Sequence, residues 1–230
     1  MPTVLVTGAN RGLGLEFVRQ YSQDDWQVHA CCRDPRAAEE LTELAQATDG
    51  RVRIHPLDVT DAEQISALAE ALGDGSIDVL INNAGAFLER AGFGEVDYEN
   101  WRQVFEINVL APMRVAEALI EHLNRSELKI LANVSSKMGS IADNTSGGCY
   151  VYRSSKAALN MVTVSQAHDL RSRGVVAVVL HPGWVATRMG GAGAPLEAPA
   201  SVQGMRAVLA GLGSGDSGKF FNYSGEEIPW

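Results

Sequence analysis

Short runs of β-branched and other apolar residues alternate along this chain with longer stretches whose apolar positions recur every three or four residues. A run that is apolar throughout suits a strand buried on both faces, and the helical stretches between such runs suit crossovers that cover those faces. Seven strands are expected, near Val4–Thr7, Gln27–Cys32, Val52–Leu57, Val79–Asn82, Leu128–Val134, Val175–His181 and Lys219–Asn222. The alternation predicts an α/β domain, a parallel sheet between two layers of helices.

Leu13, Phe17, Val18 and Tyr21 share one face of a first helix from about Leu13 to Ser22. A second helix opens after Asp34-Pro35, where Asp can cap and Pro suits the first turn, and stops before Gly50. The third opens at Thr60-Asp61-Ala62-Glu63, with Thr60 the candidate cap, and stops before Gly73. Asp97 to Arg125 is long for one helix, and Pro112 within it predicts a kink or a local break just after Asn108. A helix from Tyr150 to Arg173 ends at Gly174, a residue suited to a left-handed terminator. Gly190 to Ala200 is rich enough in glycine and proline to disfavour regular structure. It follows the sixth strand, on the side where open α/β sheets bind ligands, so a lid is expected there rather than an idle surface loop.

The 230 residues suit a single domain, and with 46% of them apolar and 20% charged a sizeable core can form. A net charge of -9 disfavours nucleic acid, which needs clustered cations. No run approaches the ~20 apolar residues of a membrane span, and no basic segment precedes an apolar stretch at the start. A cytoplasmic protein with no membrane partner is therefore expected. Cys31, Cys32 and Cys149 form no C-x-x-C pair, and no His/Cys cluster has ligand spacing, so free buried thiols and no metal are expected.

Thr7-Gly8-Ala9-Asn10-Arg11-Gly12-Leu13-Gly14 lies directly between the first strand and the first helix. There the backbone from Gly8 through Asn10, Arg11 and Leu13, with the helix N-terminus, can receive a pyrophosphate. Gly8 permits the sharp turn, Gly12 a close backbone approach, and Gly14 tight packing of helix on sheet. This context makes the chain read as one doubly wound Rossmann domain. At the end of the second strand Cys32 is followed by Arg33, which suits a ribose 2'-phosphate, and Arg11 could add a second cation, so NADP(H) is favoured over NAD(H). Asp34 would repel that phosphate, although capping the next helix also explains it.

Other strand ends carry further candidates. Asp58 could accept a bond from the adenine amino group beside a backbone contact at Val59, or could merely cap a helix. The small residues of Asn82-Asn83-Ala84-Gly85 either leave room for the cofactor, at Asn82, Ala84 and Gly85, or form a structural turn. After the sixth strand, the open backbone of Pro182, Gly183, Val185 and Thr187 can bond a nicotinamide amide while Trp184 walls the substrate side; a tight turn around a core Trp is the alternative.

Tyr152 and Lys156 stand four residues apart on a predicted helix, so phenol and ammonium are neighbours on one face. A phenol titrates near 10, and a nearby cation is expected to lower that value and make its proton mobile. Ser135-Ser136 ends the fifth strand, where one hydroxyl projects into the same crevice.

In order, T-G-A-N-R-G-L-G, N-N-A-G, N-V-S-S, Y-R-S-S-K and H-P-G-W-V-A-T resemble the short-chain dehydrogenase/reductase superfamily over essentially the whole chain. The ending Gly-Lys-Phe-Phe-Asn-Tyr-Ser-Gly-Glu-Glu-Ile-Pro-Trp is similar to the carbonyl-reductase-like group that includes the sniffer and C-factor proteins. The resemblance implies hydride transfer between nicotinamide C4 and a carbonyl or secondary alcohol of a small apolar molecule. It selects Ser136 over Ser135 and implies a tetrad. Ser136 holds the substrate oxygen, Tyr152 exchanges a proton, Lys156 binds ribose, and Asn108 fixes a water linking Lys156 to solvent. It also implies a homodimer or homotetramer built on the 97–125 and 150–173 helices. Ser136 and Tyr152 are further apart than is usual, with Asn144 to Gly148 inserted between them. Phe87, Leu88, Trp184 and the residues after Met189 would line an apolar substrate cavity.

Two rival readings remain in view. Gly215-Asp216-Ser217-Gly218 resembles a serine-protease nucleophile segment but lacks a His-Asp context. A dinucleotide-binding signalling or sensor protein of the C-factor type is the stronger rival, although a sensor needs none of the catalytic positions.

Overall fold

A computed structural model describes residues 1–230. Its sheet has seven parallel strands, β1 (Thr3–Thr7), β2 (Gln27–Cys32), β3 (Val52–Pro56), β4 (Val79–Asn82), β5 (Ile130–Val134), β6 (Val176–His181) and β7 (Phe220–Asn222). The order is β3-β2-β1-β4-β5-β6-β7, so the winding reverses between β1 and β4 and opens a crevice beyond their carboxyl ends. No helix is long and apolar enough to cross a membrane.

Alternation along each strand divides the core. Val4, Val6, Val28, Ala30, Ile81 and Val178 face one layer, α1 (Gly12–Gln23), α2 (Glu39–Gln46) and α7 (Ala198–Ala210). Leu5, Cys31, Leu80, Leu131 and Ala177 face the other, which includes α3 (Ala62–Leu72), α5 (Ala111–Asn124) and α6 (Tyr150–Asp169). The doubly wound domain expected from the sequence is present.

Several local expectations are corrected. Asp61, not Thr60, caps α3, accepting from Glu63 N at 2.9 Å and Gln64 N at 3.1 Å. The long helical stretch is cut into α4 (Tyr98–Phe105) and α5 by a π turn at Glu106–Leu110, in which Ala111 N–H reaches back to the Glu106 carbonyl. The break thus precedes Pro112, and it holds Asn108 fully buried. Cys149 is only partly buried. The segment expected to be irregular through Ala200 gives way to α7 at Ala198, with Pro199 accommodated in its first turn.

His29 and His55 meet across β2 and β3, Nδ1 to Nε2 at 2.9 Å. One ring must donate and the other accept, so the contact is lost once both rings are protonated. Burial foremost, then the nearby His55, Arg53 and His122, lowers His29 to about 4. Burial and then Arg53 lower His55. Because both rings take up protons more readily in the unfolded chain, their stabilisation is full above the ordinary value of 6.5 and is lost as pH falls toward about 4. Urea midpoints should therefore drop between pH 7 and pH 5, and His29→Gln should flatten that dependence; a wild-type midpoint that does not move with pH would contradict it.

Candidate active site

The turn from β1 into α1 is built on backbone that side chains would spoil. Gly8 and Gly12 adopt φ of 66° and 54°, and a Cβ on Gly14 would stand 2.2 Å from the Gly8 carbonyl oxygen. Arg11, at the N-cap, supplies no side-chain acceptor to the first-turn amides, so donors and the positive end of the helix face the crevice. A Cβ on Gly12 would lie 3.6 Å from Thr187 Cγ2, which sets the glycine turn opposite the segment leaving β6. This cradle fits a pyrophosphate.

The β4 end is stitched to β1. Thr7 Oγ1 accepts from the N–H groups of Asn83 and Ala84, both at 3.0 Å, and Asn83 Nδ2 donates to the carbonyls of Thr7 and Gly8 at 2.9 and 3.3 Å. Asn82's side chain points elsewhere: its Nδ2 donates to Asn133 Oδ1 at 2.9 Å and to the Pro112 carbonyl at 3.2 Å, which braces the interior. Thr7 and Asn133 carry roles that the motifs did not single out.

Arg33 and Arg11 are both exposed, and neither has a carboxylate within 4.0 Å. Asp34 caps the short helical turn Pro35–Ala37, accepting from Arg36 N at 3.0 Å, and lies 3.7 Å from the Arg36 guanidinium. Its charge is therefore partly occupied. Asp58 Oδ1 accepts from Thr60 N and Oγ1 at 2.9 and 2.8 Å, so it shapes the turn ahead of α3 without capping the helix.

Tyr152, Ser136 and Lys156 converge. The Tyr152 phenol lies near enough to the Ser136 hydroxyl for its pKa to be lowered by it, Ser136 Oγ accepts from Met138 N at 3.2 Å, and Ser135 turns away to donate to Asn160 Oδ1 at 2.7 Å. Lys156 Nζ lies 5.8 Å from the Tyr152 ring centroid and donates to the Val134 carbonyl at 3.0 Å. Sequence reasoning missed Gly139: a Cβ there would lie 2.8 Å from Lys156 backbone carbon, so its absence lets the segment after Ser136 seat on α6. The available signal was a glycine three residues beyond the serine.

The expected lowering of the phenol pKa is not found in the chain itself. Burial pushes Tyr152 up to about 12, against a smaller downward effect from Ser136. Burial lowers Lys156 to about 8.

Asn108 joins this group by a different route from the one expected. Its Oδ1 accepts from Ala86 N at 2.8 Å, and its Nδ2 donates to the Ala86 carbonyl at 2.9 Å and to Ser155 Oγ at 3.0 Å. The side chain clamps the segment after β4 to α6. Gly85 is drawn in, since a Cβ on it would lie 3.4 Å from Asn108 Oδ1 and 3.6 Å from Lys156 Nζ.

Beyond β6 the backbone is ordered. Ala186 N bonds the Leu196 carbonyl at 2.8 Å, and Trp184 Nε1 bonds the Gly190 carbonyl at 2.9 Å. Gly183 adopts φ 85°, Pro182 accepts from Ser201 Oγ at 2.6 Å, Val185 is buried, and Thr187 Oγ1 accepts from Gly190 N at 3.2 Å. Trp184 is exposed, which removes the reading of a core Trp. Phe87 meets Tyr152 edge-on at 4.8 Å, and Leu88, Trp184 and Met189 are exposed. Ser217 is far from any nucleophile role: its Oγ accepts from Ala177 N at 3.1 Å and completes the strand ladder.

A family profile described as short chain dehydrogenase matches residues 2–195. The chain belongs to the short-chain dehydrogenase family. C-signal of Myxococcus xanthus is 51% identical over 164 residues, covering 71% of this chain and 99% of that protein. Among solved structures of short-chain dehydrogenase type, the carbonyl reductase Sniffer of D. melanogaster superposes with a TM-score of 0.94 at 33% identity, covering 100% of both chains. An NADPH-bound carbonyl reductase from chicken fatty liver gives 0.94 at 37% identity, covering 100% of this chain and 99% of that one.

The glycine turn offers a test that needs no substrate. Gly14→Ala should lower stability by on the order of 1–3 kcal/mol, since backbone must shift to admit the methyl group. Urea denaturation measures this, and an unchanged midpoint would show that the turn opens freely.

Proposed function

We propose that this protein is an NADP(H)-dependent oxidoreductase that reduces a carbonyl to an alcohol, with Tyr152 as the acid. The observation that carries this reading is a Ser136 and Tyr152 hydroxyl pair beside a buried Lys156, on the same sheet edge as a pyrophosphate cradle. The NADPH-bound carbonyl reductase that superposes along the full chain supports the cofactor. Bound at this edge, the nicotinamide supplies or accepts a hydride.

The chain's own groups perform the remaining tasks. Gly8, Asn10, Arg11, Gly12, Leu13 and Gly14 hold the phosphates, and Arg33 with Arg11 reads the 2'-phosphate. Asp58, with one carboxylate oxygen outside the turn's own bonds, and Val59 serve the adenine; Ala84 and Gly85 leave room for the dinucleotide. Pro182, Gly183, Val185 and Thr187 border the nicotinamide. Ser136 orients the substrate oxygen. A phenol held near 12 is protonated at neutral pH and so can supply the proton a carbonyl oxygen takes up on reduction. Lys156 has three N–H groups and meets one acceptor in the chain, which leaves the others for ribose hydroxyls. Because Asn108's side chain is occupied, a proton relay to Lys156 would use the Asn108 carbonyl, which Pro112, lacking an N–H, cannot cap as a helix residue would.

The M. xanthus relative's name keeps a signalling role as the second reading. NADPH oxidation against a panel of ketones, aldehydes and quinones separates the two, and tight cofactor binding with no turnover would favour the signal. Tyr152→Phe should reduce kcat on the order of 10²- to 10⁴-fold with NADPH affinity nearly intact, and Lys156→Ala should weaken both. Full turnover in Tyr152→Phe would overturn the assignment. Arg33→Ala should narrow the gap between NADPH and NADH affinities; an unaltered gap would place phosphate recognition elsewhere. Since Lys156 loses its charge as pH rises through about 8, NADPH affinity of the free protein should decline above that pH, read by cofactor fluorescence.

A further inference from the structure

In a chain of 28 acidic and 19 basic residues, most arginines meet a carboxylate: Arg19, Arg36, Arg51, Arg102, Arg114, Arg125, Arg173 and Arg206 do so within 4.0 Å. Of the arginines without one, Arg53 lies on β3 and Arg171 just ahead of β6, while Arg11, Arg33, Arg90, Arg153 and Arg188 lie in segments that follow strands at the sheet's carboxyl edge. Arg11 and Arg33 are accounted for by the nucleotide phosphate, and Arg153 is spent on the carbonyls of Gly147 and Met138 and on Ser146 Oγ. Arg90, after β4, and Arg188, after β6, remain exposed without an acidic partner.

Arg90 is the better placed of the two. Its guanidinium carbon lies 5.4 Å from the Phe87 ring centroid, and the same ring meets Tyr152 edge-on. Stacking on an aromatic face holds a guanidinium in place while its N–H edge stays free for a two-pronged contact with an anion. Neither neighbouring acid comes within 4.0 Å of it: Glu89 accepts from Asn100 Nδ2 at 3.2 Å with its other oxygen unpartnered, and Glu95 accepts from Gly92 N at 3.2 Å. Between Arg90 and the phenol lies one aromatic ring, with exposed Leu88 beside it.

We infer that the substrate is a carbonyl compound whose apolar body carries an anionic group, carboxylate or phosphate, and that Arg90 receives this group at the mouth of the site. The inference rests on the carbonyl-reducing reading. An apolar body would lie along Phe87 and Leu88 with its carbonyl at Ser136 and Tyr152 and its charge at Arg90.

The test is NADPH-dependent reduction of 4-formylbenzoate beside its methyl ester, and of 4-formylphenyl phosphate beside 4-methoxybenzaldehyde. The ester withdraws electrons more strongly than the carboxylate, so intrinsic reactivity opposes the expected result. The wild type should favour at least one anion over its neutral partner by roughly tenfold in kcat/KM, through KM, and added salt should erode that preference. Whichever anion shows it identifies the source. Arg90→Gln should bring the ratio close to one, while Arg90→Lys should retain part of it. Reduction of the neutral aldehydes with no preference for either anion, a preference that survives Arg90→Gln, or one that collapses only in Arg188→Gln overturns this inference and leaves carbonyl reduction standing. Failure of the wild type to reduce any of the four overturns both.

Discussion

An ammonium buried with one carbonyl for company is the constraint around which this molecule is arranged. Lys156 is 4% exposed, and its Nζ has the Val134 carbonyl at 3.0 Å. Placing a charge there costs several kcal/mol unless polar groups gather around it. The surroundings answer that demand: the end of β5 supplies a carbonyl, Asn108 and Gly85 close one side, and Gly139 lets the Ser136 segment press onto α6. The groups that make the charge tolerable are those that make it useful, because they bring a serine and a tyrosine hydroxyl together beside it.

Such a cluster needs a frame that does not yield, and the interior supplies one in polar form. Asn133, on the interior strand β5, accepts from Asn82 and donates to Thr163 Oγ1 at 2.9 Å and Gln166 Oε1 at 3.1 Å. Ser155 accepts from Asn108 and donates to the Tyr152 carbonyl at 2.8 Å. β4, β5, α6 and the π turn are thereby locked in one register. A satisfied network of this kind fixes geometry where a purely apolar core would tolerate sliding, because each misplacement leaves a buried polar group unpaired.

What could be read from the sequence follows from how local the physics is. Apolar runs on doubly covered strands and the glycine turn are dictated by near neighbours, and the strands and the Ser136, Tyr152 and Lys156 cluster stand where the patterns put them. Where long-range contacts decide, the pattern was silent. Asp58 takes Thr60 and leaves Asp61 to cap; Asn108 spends its side chain on Ala86 and Ser155; Asn82 looks inward because Asn133 awaits it. Spacing gave Tyr152 and Lys156 a shared face but not the depth at which the phenol is buried, and that burial governs its pKa.

Charge shows the same division between the whole and the part. A net -9 argues against a polyanion spread over the surface, yet it says nothing about the field at one edge. Acids are distributed over helices, where many neutralise arginines at short range, and screening confines what remains to about a Debye length. At the carboxyl ends of the strands several cations stand without a carboxylate partner: Arg11, Arg33, Arg90 and Arg188 follow β1, β2, β4 and β6, and Lys156 lies beneath. An acidic protein can therefore hold a phosphorylated dinucleotide, because what a ligand meets is the local excess of unpaired cations and not the sum over the chain.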